Sequence, residues 1–119
     1  MNYNIQRFSL DLNTQDSQEY VIVRKGDTVK KLSVLLKESG TPYSITDGTE
    51  AVLAAAKPDG TYMSEVCTIE GNRLEVVLPA AFTAAAGKLW ACFRLEGSGA
   101  ALTSPPFTIC VDYPAAEEP

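Results

Sequence analysis

The sequence of 119 residues contains no histidine. Histidine is the usual general base at neutral pH and the commonest transition-metal ligand, so its absence removes Ser–His and Cys–His nucleophile pairs and histidine metal sites. Basic residues are also scarce, with ten Lys and Arg against fifteen Asp and Glu and a formal net charge of −5. Nucleic-acid binding depends on a basic surface that displaces counterions. An enzymatic function is therefore the less favoured interpretation, and we expect no nucleic-acid partner.

Long hydrophobic runs are missing as well. No stretch approaches the roughly 18 apolar residues of a membrane-spanning helix, and the N-terminus lacks the apolar segment of a secretion signal. We therefore expect a chain made in the cytosol, with no membrane partner. A hydrophobic content of 45% and a charged content of 21% are typical of one soluble globular domain. We assign residues 1–114 to that domain and residues 115–119 to a disordered tail.

Cysteines are few, and their spacing is uninformative for metal binding. Cys67, Cys92 and Cys110 are odd in number, form no CxxC pair, and have no histidine to complete a zinc site. We expect free thiols and no metal or other cofactor. Cys92 and Cys110 both fall on the outer faces of predicted strands, and pairing of those strands could make them neighbours.

What the sequence does contain is a period-two alternation of apolar and polar residues, which is typical of strands. The predicted strands cover residues 7–12, 19–25, 31–37, 51–57, 62–69, 74–78, 88–96 and 107–113. Between them we predict two fold-defining turns, formed by Gly26, Asp27, Thr28 and by Pro58, Asp59, Gly60. Residues 79–87 open with Pro and close with Gly, as a short helix does. The predicted fold is all-β, an antiparallel Ig-like or Greek-key sandwich of about eight strands with one short helical crossover.

Two catalytic or metal-binding arrangements are conceivable. Paired carboxylates can hydrolyse glycosides, and the second half of the chain offers Glu65, Glu70, Glu75 and Glu96. Outward-facing Glu on strands is, however, the ordinary solvated pattern. Residues 11–16 carry oxygen ligands suggestive of calcium but lack the Gly and terminal Glu of an EF-hand loop, so turn formation is the favoured interpretation.

Docking to another protein has better candidates. Trp90 shares the outward face of its strand with Cys92 and Arg94. This position indicates either a docking surface or a ring covered by the crossover segment or by a terminus. Four basic residues surround the turn at residues 26–28: Arg24, Lys25, Lys30 and Lys31. They either steer an acidic protein partner or keep a hairpin soluble. The predicted partner contacts are Trp90, Arg94, Arg24, Lys25, Lys30 and Lys31.

The order of several short motifs resembles the N-terminal domain of phage baseplate upper proteins. The matching segments are residues 8–12 (FSLDL), 23–28 (VRKGDT), 32–36 (LSVLL), 56–61 (AKPDGT), 87–91 (GKLWA) and 102–109 (LTSPPFTI). The resemblance implies a β-sandwich in the baseplate of tailed phages or prophages of Gram-positive bacteria. It implies attachment to the distal tail hub, a link to receptor-binding proteins, and no catalysis. Such proteins usually continue beyond this domain toward the receptor-binding protein.

The sequence therefore predicts a structural assembly module of a phage or prophage tail, located in the virion and synthesised in the bacterial cytoplasm. Homo-oligomerisation within the assembly is possible on this interpretation. The alternative is a carbohydrate-binding module, because sandwiches bind sugars through aromatic platforms. A third interpretation, a small hydrolase with paired Glu, requires perturbed carboxylate titration.

Overall fold

The computed structural model describes residues 2–114, and the predicted tail at residues 115–119 lies outside them. Within that range the chain forms ten strands and one helix. In chain order these are β1 (Asn4–Asp11), β2 (Tyr20–Arg24), β3 (Lys30–Glu38), β4 (Thr41–Pro42), β5 (Glu50–Ala56), β6 (Tyr62–Glu70), β7 (Arg73–Val77), α1 (Ala80–Thr83), β8 (Gly87–Gly97), β9 (Ala100–Thr103) and β10 (Phe107–Asp112).

All eight predicted strands are present, and the fold is nearly all-β as expected. The two additional strands are short: β4 pairs with β3, and β9 pairs with β8 across the turn at residues 98–99. The alanine-rich residues 51–56 form a strand, because they pair on one side with β6 and on the other with β8. The helix predicted within residues 79–87 is present as a single turn, and Gly87 begins β8.

The sheet is mixed, which corrects the prediction of an antiparallel Ig-like sandwich. Its strand order is β1-β3-β7-β6-β5-β8-β10-β2. β1 runs parallel to β3, and β2 runs parallel to β10, whereas the other neighbours are antiparallel. The physical reason is that β2 does not form a hairpin with either of its neighbours in sequence. It crosses to the far end of the sheet and pairs with the last strand.

The two ends of this sheet approach each other, so the sheet nearly closes into a barrel. The side-chain amide of Gln6 in β1 donates a hydrogen bond to the backbone carbonyl of Tyr20 in β2 at 2.8 Å. Inside the same seam the rings of Phe8 and Phe107 meet edge to face, with centroids 5.3 Å apart. Side chains therefore bridge the gap between the two end strands.

Strand β6 joins the two halves of the barrel. Residues 62–67 pair with β5 and residues 68–70 pair with β7. The alternating inward side chains of both halves form one core. Its largest fully buried members are Phe82, Phe93, Phe107, Leu10, Leu32, Leu36, Leu53, Leu74, Leu78, Ile109, Val21 and Val34.

The two predicted turns lie at strand ends, and each contains a glycine with positive φ. Gly26 has φ +88° and Gly60 has φ +89°, values that L-residues with a side chain rarely adopt. The amide of Gly26 donates to the carbonyl of Thr83 at 2.8 Å, and the buried Thr83 hydroxyl donates to the carbonyl of Asp27 at 2.8 Å. Helix α1 is thereby tied to the turn after β2.

The Asp59 carboxylate closes the second turn by accepting bonds from the Thr61 amide at 2.9 Å and the Thr61 hydroxyl at 2.7 Å. These bonds, that from the side chain first, hold the pKa of Asp59 below its ordinary value. Residues 58–60 therefore form a turn that is stabilised by its own side chains.

Candidate docking face

The two halves of the barrel present outer faces of different chemistry. On the half formed by β1, β3 and β7, the outward side chains form an ionic network. The Ser33 hydroxyl accepts a bond from Arg73 Nε at 2.8 Å and donates to Glu75 Oε2 at 3.1 Å, and Lys31 Nζ lies 3.3 Å from Glu75 Oε1. Hydrogen bonding from Ser33 is the main reason that the pKa of Glu75 is lowered. On this face Glu75 is therefore bonded to both Ser33 and Lys31.

The outer face of the half formed by β6, β5, β8, β10 and β2 carries most of the exposed large apolar side chains, and we call it the docking face. Of the eight large hydrophobic side chains that are exposed in residues 2–114, five point outward here: Tyr20, Ile22, Tyr62, Val66 and Trp90. Soluble monomers seldom group exposed apolar side chains in this way unless the patch contacts something. Trp90 is 55% exposed, so the crossover segment does not cover it.

A groove runs along β10 at the centre of this face. The pairing register places Thr108 between Trp90 and Tyr20, and it places Cys110 between Lys88 and Ile22. The small side chains of β10 form the floor, and the larger ones on β8 and β2 form the two walls. We call this feature the β10 groove. At its β8 side a depression of about 370 Å³ extends to the end of β5.

The strands of the docking face carry three cations, two of which are neutralised, and Lys57 after β5 lines the depression as well. Arg24 Nη1 lies 3.6 Å from Asp112 Oδ2, and Arg94 Nε donates to Glu96 Oε1 at 2.8 Å. Lys88 differs, because it makes no ion pair with any residue in the 2–114 range. Its ammonium lies 5.9 Å from the centroid of the Tyr20 ring, which places the charge across the groove.

The structure divides the predicted contact residues between two surfaces. Trp90, Arg94 and Arg24 share the docking face, and Lys25 lies beside it with its ammonium 5.6 Å from the Tyr113 ring centroid. Lys31 instead belongs to the ionic network of the opposite half.

Lys30 begins β3 next to Lys31, where partial burial lowers its pKa. The expectation of one basic cluster around the turn is therefore only partly met. The role of all six residues in partner contact stays a prediction.

Sequence analysis missed Tyr20, Ile22 and Lys88. The signal for the first two was present, because alternation in residues 20–24 places them opposite Val21 and Val23, which are buried. Nothing in the sequence placed β2 beside β10, however, so their proximity to Trp90 could not be foreseen.

The three cysteines are free thiols. Strands β8 and β10 do pair, but the register sets Cys110 opposite Lys88, four residues away from Cys92. Cys92 and Cys110 are therefore not cross-strand neighbours. Cys67 points into the core, and burial raises its pKa to about 12. Burial also raises the pKa of Cys92 and of Cys110.

The carboxylates of the hydrolase interpretation are dispersed. Glu75 lies in the ionic network, Glu70 lies opposite Arg73 on β7, and Glu96 pairs with Arg94 on the docking face. Glu65 lies on the inward side of β6, which it shares with Met63 and Cys67. A general acid requires a raised pKa, whereas the pKa of Glu75 is lowered.

The suggested calcium loop has a different use. Asp11 accepts hydrogen bonds from the amides of Asn13, Ser39 and Gly40 at 3.0, 3.0 and 2.8 Å. Its oxygens are therefore directed to N–H donors, and they tie β1 to the turn between β3 and β4. In residues 2–114 no group of three acidic or thiol side chains is placed to hold a metal ion. The one helix found there is too short to cross a membrane.

Comparison with known proteins identifies the fold. No protein-family model and no curated protein matches the sequence. Among solved structures, the N-terminal domain of phage TP901-1 ORF48 matches with a TM-score of 0.74 and 15% sequence identity. The match covers 92% of this chain and 99% of that one. It confirms the resemblance drawn from the sequence motifs, and at this identity it shows a shared fold.

Proposed function

We propose that the chain is a non-catalytic structural module of a phage or prophage tail baseplate, linking the distal tail hub to receptor-binding proteins. The observation that carries this proposal is the shared fold with the N-terminal domain of a phage protein over nearly the whole of both chains. The succession of sequence motifs supports the same assignment independently. On this proposal the chain is made in the bacterial cytoplasm and is incorporated into the tail tip, and several copies can occupy one assembly.

The chemistry of the surface supports an assembly role. The docking face exposes Trp90, Tyr20 and Ile22 together, which are side-chain types that contribute strongly to protein interfaces when buried. The catalytic alternative lacks support of this kind, because the Glu side chains considered for it are dispersed or ion-paired.

The test is recovery of partners from the host. Tagged full-length chain is added to lysate of the bacterium after prophage induction, captured, and analysed by mass spectrometry. The proposal predicts recovery of tail structural proteins, hub proteins foremost, and their loss with Trp90→Ala. Absence of tail proteins from the wild-type sample would overturn the proposal.

Carbohydrate binding remains a second candidate because two exposed aromatic rings, Trp90 and Tyr20, face outward across the β10 groove. Aromatic rings on a strand face can stack against sugar rings. Since Trp90 is the sole tryptophan, its fluorescence reports on this surface directly. A saturable change on titration with soluble cell-wall polysaccharide, without recovery of tail proteins, would favour this function over the structural one.

A further inference from the structure

We infer that the β10 groove receives an apolar segment of a protein partner that differs from this chain and carries a carboxylate opposite Lys88. The inference rests on the proposed function and specifies the chemistry of the partner.

The shape of the groove sets the size of its occupant. Its walls stand on β8 and β2, which are separated by β10 alone. Adjacent strands lie about 4.8 Å apart, so the wall backbones are about 10 Å apart. The floor side chains, Thr108 and Cys110, are small and half-buried. This space admits one extended segment or one row of side chains from a partner.

The side chains of the two walls favour an apolar occupant. Trp90 and Tyr20 face each other across Thr108, and Ile22 continues the β2 wall beside Cys110. These three side chains are 55%, 50% and 52% exposed, so each has about half of its surface available to a partner. Burying such surface stabilises a complex, against the losses of translational and conformational freedom on binding.

Lys88 adds a requirement for negative charge. A segment that fills the groove covers the Lys88 ammonium, which has no carboxylate partner within residues 2–114. Burying an unpaired ammonium is costly, whereas a paired one is tolerated. Asp112 is the carboxylate of the same face that lies nearest in register, and it already contacts Arg24 and accepts a bond from the Cys110 thiol. The occupant must therefore supply the missing carboxylate.

The same charges argue against a second copy as the occupant. Two copies joined through their β10 grooves bring together two Lys88 ammonium groups. Of the carboxylates on the face, Asp112 and Glu96 are already paired with Arg24 and Arg94. Glu50 lies opposite Glu96 at the start of β5, eight residues along β8 from Lys88. Each copy also carries a net charge of −5, which opposes self-association. A heterologous partner avoids both penalties.

The experiment uses a tail protein recovered by the wild-type chain, then purified, with the dissociation constant measured by titration calorimetry. Tyr20→Ala and Ile22→Ser should each weaken binding at least about tenfold, as truncation of central interface side chains does. Tyr3→Ala is the matched control, because Tyr3 is 53% exposed and lies before β1, away from the groove. It should leave the dissociation constant unchanged.

Charge variants test the carboxylate. Lys88→Arg should bind within about twofold of wild type, and Lys88→Glu should bind at least about tenfold more weakly. The dependence of affinity on salt should also decrease in Lys88→Gln. Circular dichroism should show unchanged thermal unfolding for all groove variants, since the substituted side chains are exposed.

Each contrary outcome is distinct. If the purified tail protein binds the Tyr20, Ile22 and Lys88 variants as tightly as wild type, the groove inference is wrong while the proposed function stands. If Lys88→Glu alone binds as tightly as wild type, the inference that the partner carries a carboxylate opposite Lys88 is wrong. Dimerisation that Trp90→Ala abolishes, seen by analytical ultracentrifugation, would make a second copy the occupant, and competition by polysaccharide would make a glycan the occupant. A wild type that recovers no tail protein overturns the function and the inference together.

Discussion

Ser33 and Arg73 are joined by two hydrogen bonds on the outer face of the β3–β7 pair: Arg73 Nε donates to Ser33 Oγ at 2.8 Å, and Arg73 Nη2 donates to the Ser33 carbonyl at 3.0 Å. Ser33 is 1% exposed although it points outward, because charged side chains cover it. Ser33→Ala should lower the free energy of unfolding by about 1–2 kcal/mol, since it leaves a partly buried donor without its acceptor.

Urea denaturation of this variant measures the effect, and Ser64→Ala is the control because Ser64 is an exposed strand serine on β6. Equal stabilities for Ser33→Ala and Ser64→Ala would show that the network contributes nothing. Removing Arg73 as well should cost less than the sum of the two single changes, which a double-mutant cycle detects.

Asp11 makes the stability of the fold depend on pH in the acidic range. Amide hydrogen bonds, that from Asn13 first and that from Gly40 next, hold the pKa of Asp11 below its ordinary value of 3.8. A carboxyl whose folded pKa is depressed stabilises the fold above its unfolded pKa, and this contribution is lost as the pH falls through the folded pKa. Asp11→Asn should therefore be less stable than wild type at pH 6, and the difference should shrink below about pH 4. Thermal unfolding from pH 6 to pH 2 tests this, with Asp47→Asn as the exposed control; a difference that does not vary with pH would contradict it.

Thiol accessibility should separate Cys67 from the other two cysteines. Burial raises the pKa of Cys67 to about 12, and its side chain belongs to the core. The thiolate is the reactive species, so alkylation of Cys67 requires opening of the structure. Iodoacetamide at pH 8 should modify Cys92 and Cys110 in the native protein, and a third adduct should form only in denaturant. Peptide mapping by mass spectrometry identifies the sites, and three native adducts formed at one rate would disprove the burial of Cys67.

Gly26 and Gly60 should each resist replacement for a conformational reason. Both have φ near +90°, and a Cβ atom at either position would meet no other atom within 4 Å. The penalty of Gly→Ala is therefore backbone strain alone, about 1 kcal/mol. Gly60→Asn should cost less, because Asn tolerates positive φ better than Ala. Equal urea midpoints for wild type and Gly60→Ala would show that this turn does not need its positive φ.

The sequence was sufficient to place the eight longer strands but not to pair them. Alternation identifies which residues of a strand face the core, and this pattern is the same whether the neighbouring strand is parallel or antiparallel. The parallel pairs β1–β3 and β10–β2 join segments that are not linked by a hairpin. No turn sequence therefore indicates that these strands pair. The long separation between β2 and β10 in sequence hid their contact entirely.

The same limit applies to the candidate site. The outward direction of Trp90 followed from alternation alone, and the structure agrees. The neighbours of Trp90 depended on pairing and register, which is why Tyr20 and Lys88 were missed. For the same reason the sequence left open whether Cys92 and Cys110 are neighbours. Strand β9 was missed because Ala100–Thr103 is short and weakly apolar. Clustering in sequence was also a poor guide for the basic residues, since Arg24 and Lys31 lie on opposite halves of the barrel.

The position of β10 between β8 and β2 has a consequence for biosynthesis. Synthesis proceeds from the N-terminus, so the β2 wall and the β8 wall leave the ribosome before the strand that separates them. A nascent chain that ends before residue 107 carries Tyr20 and Trp90 but has no floor to hold them at the right distance. The groove can assemble only after β10 has left the ribosome and paired with β8 and β2, so binding to it is restricted to chains whose last strand is already in place.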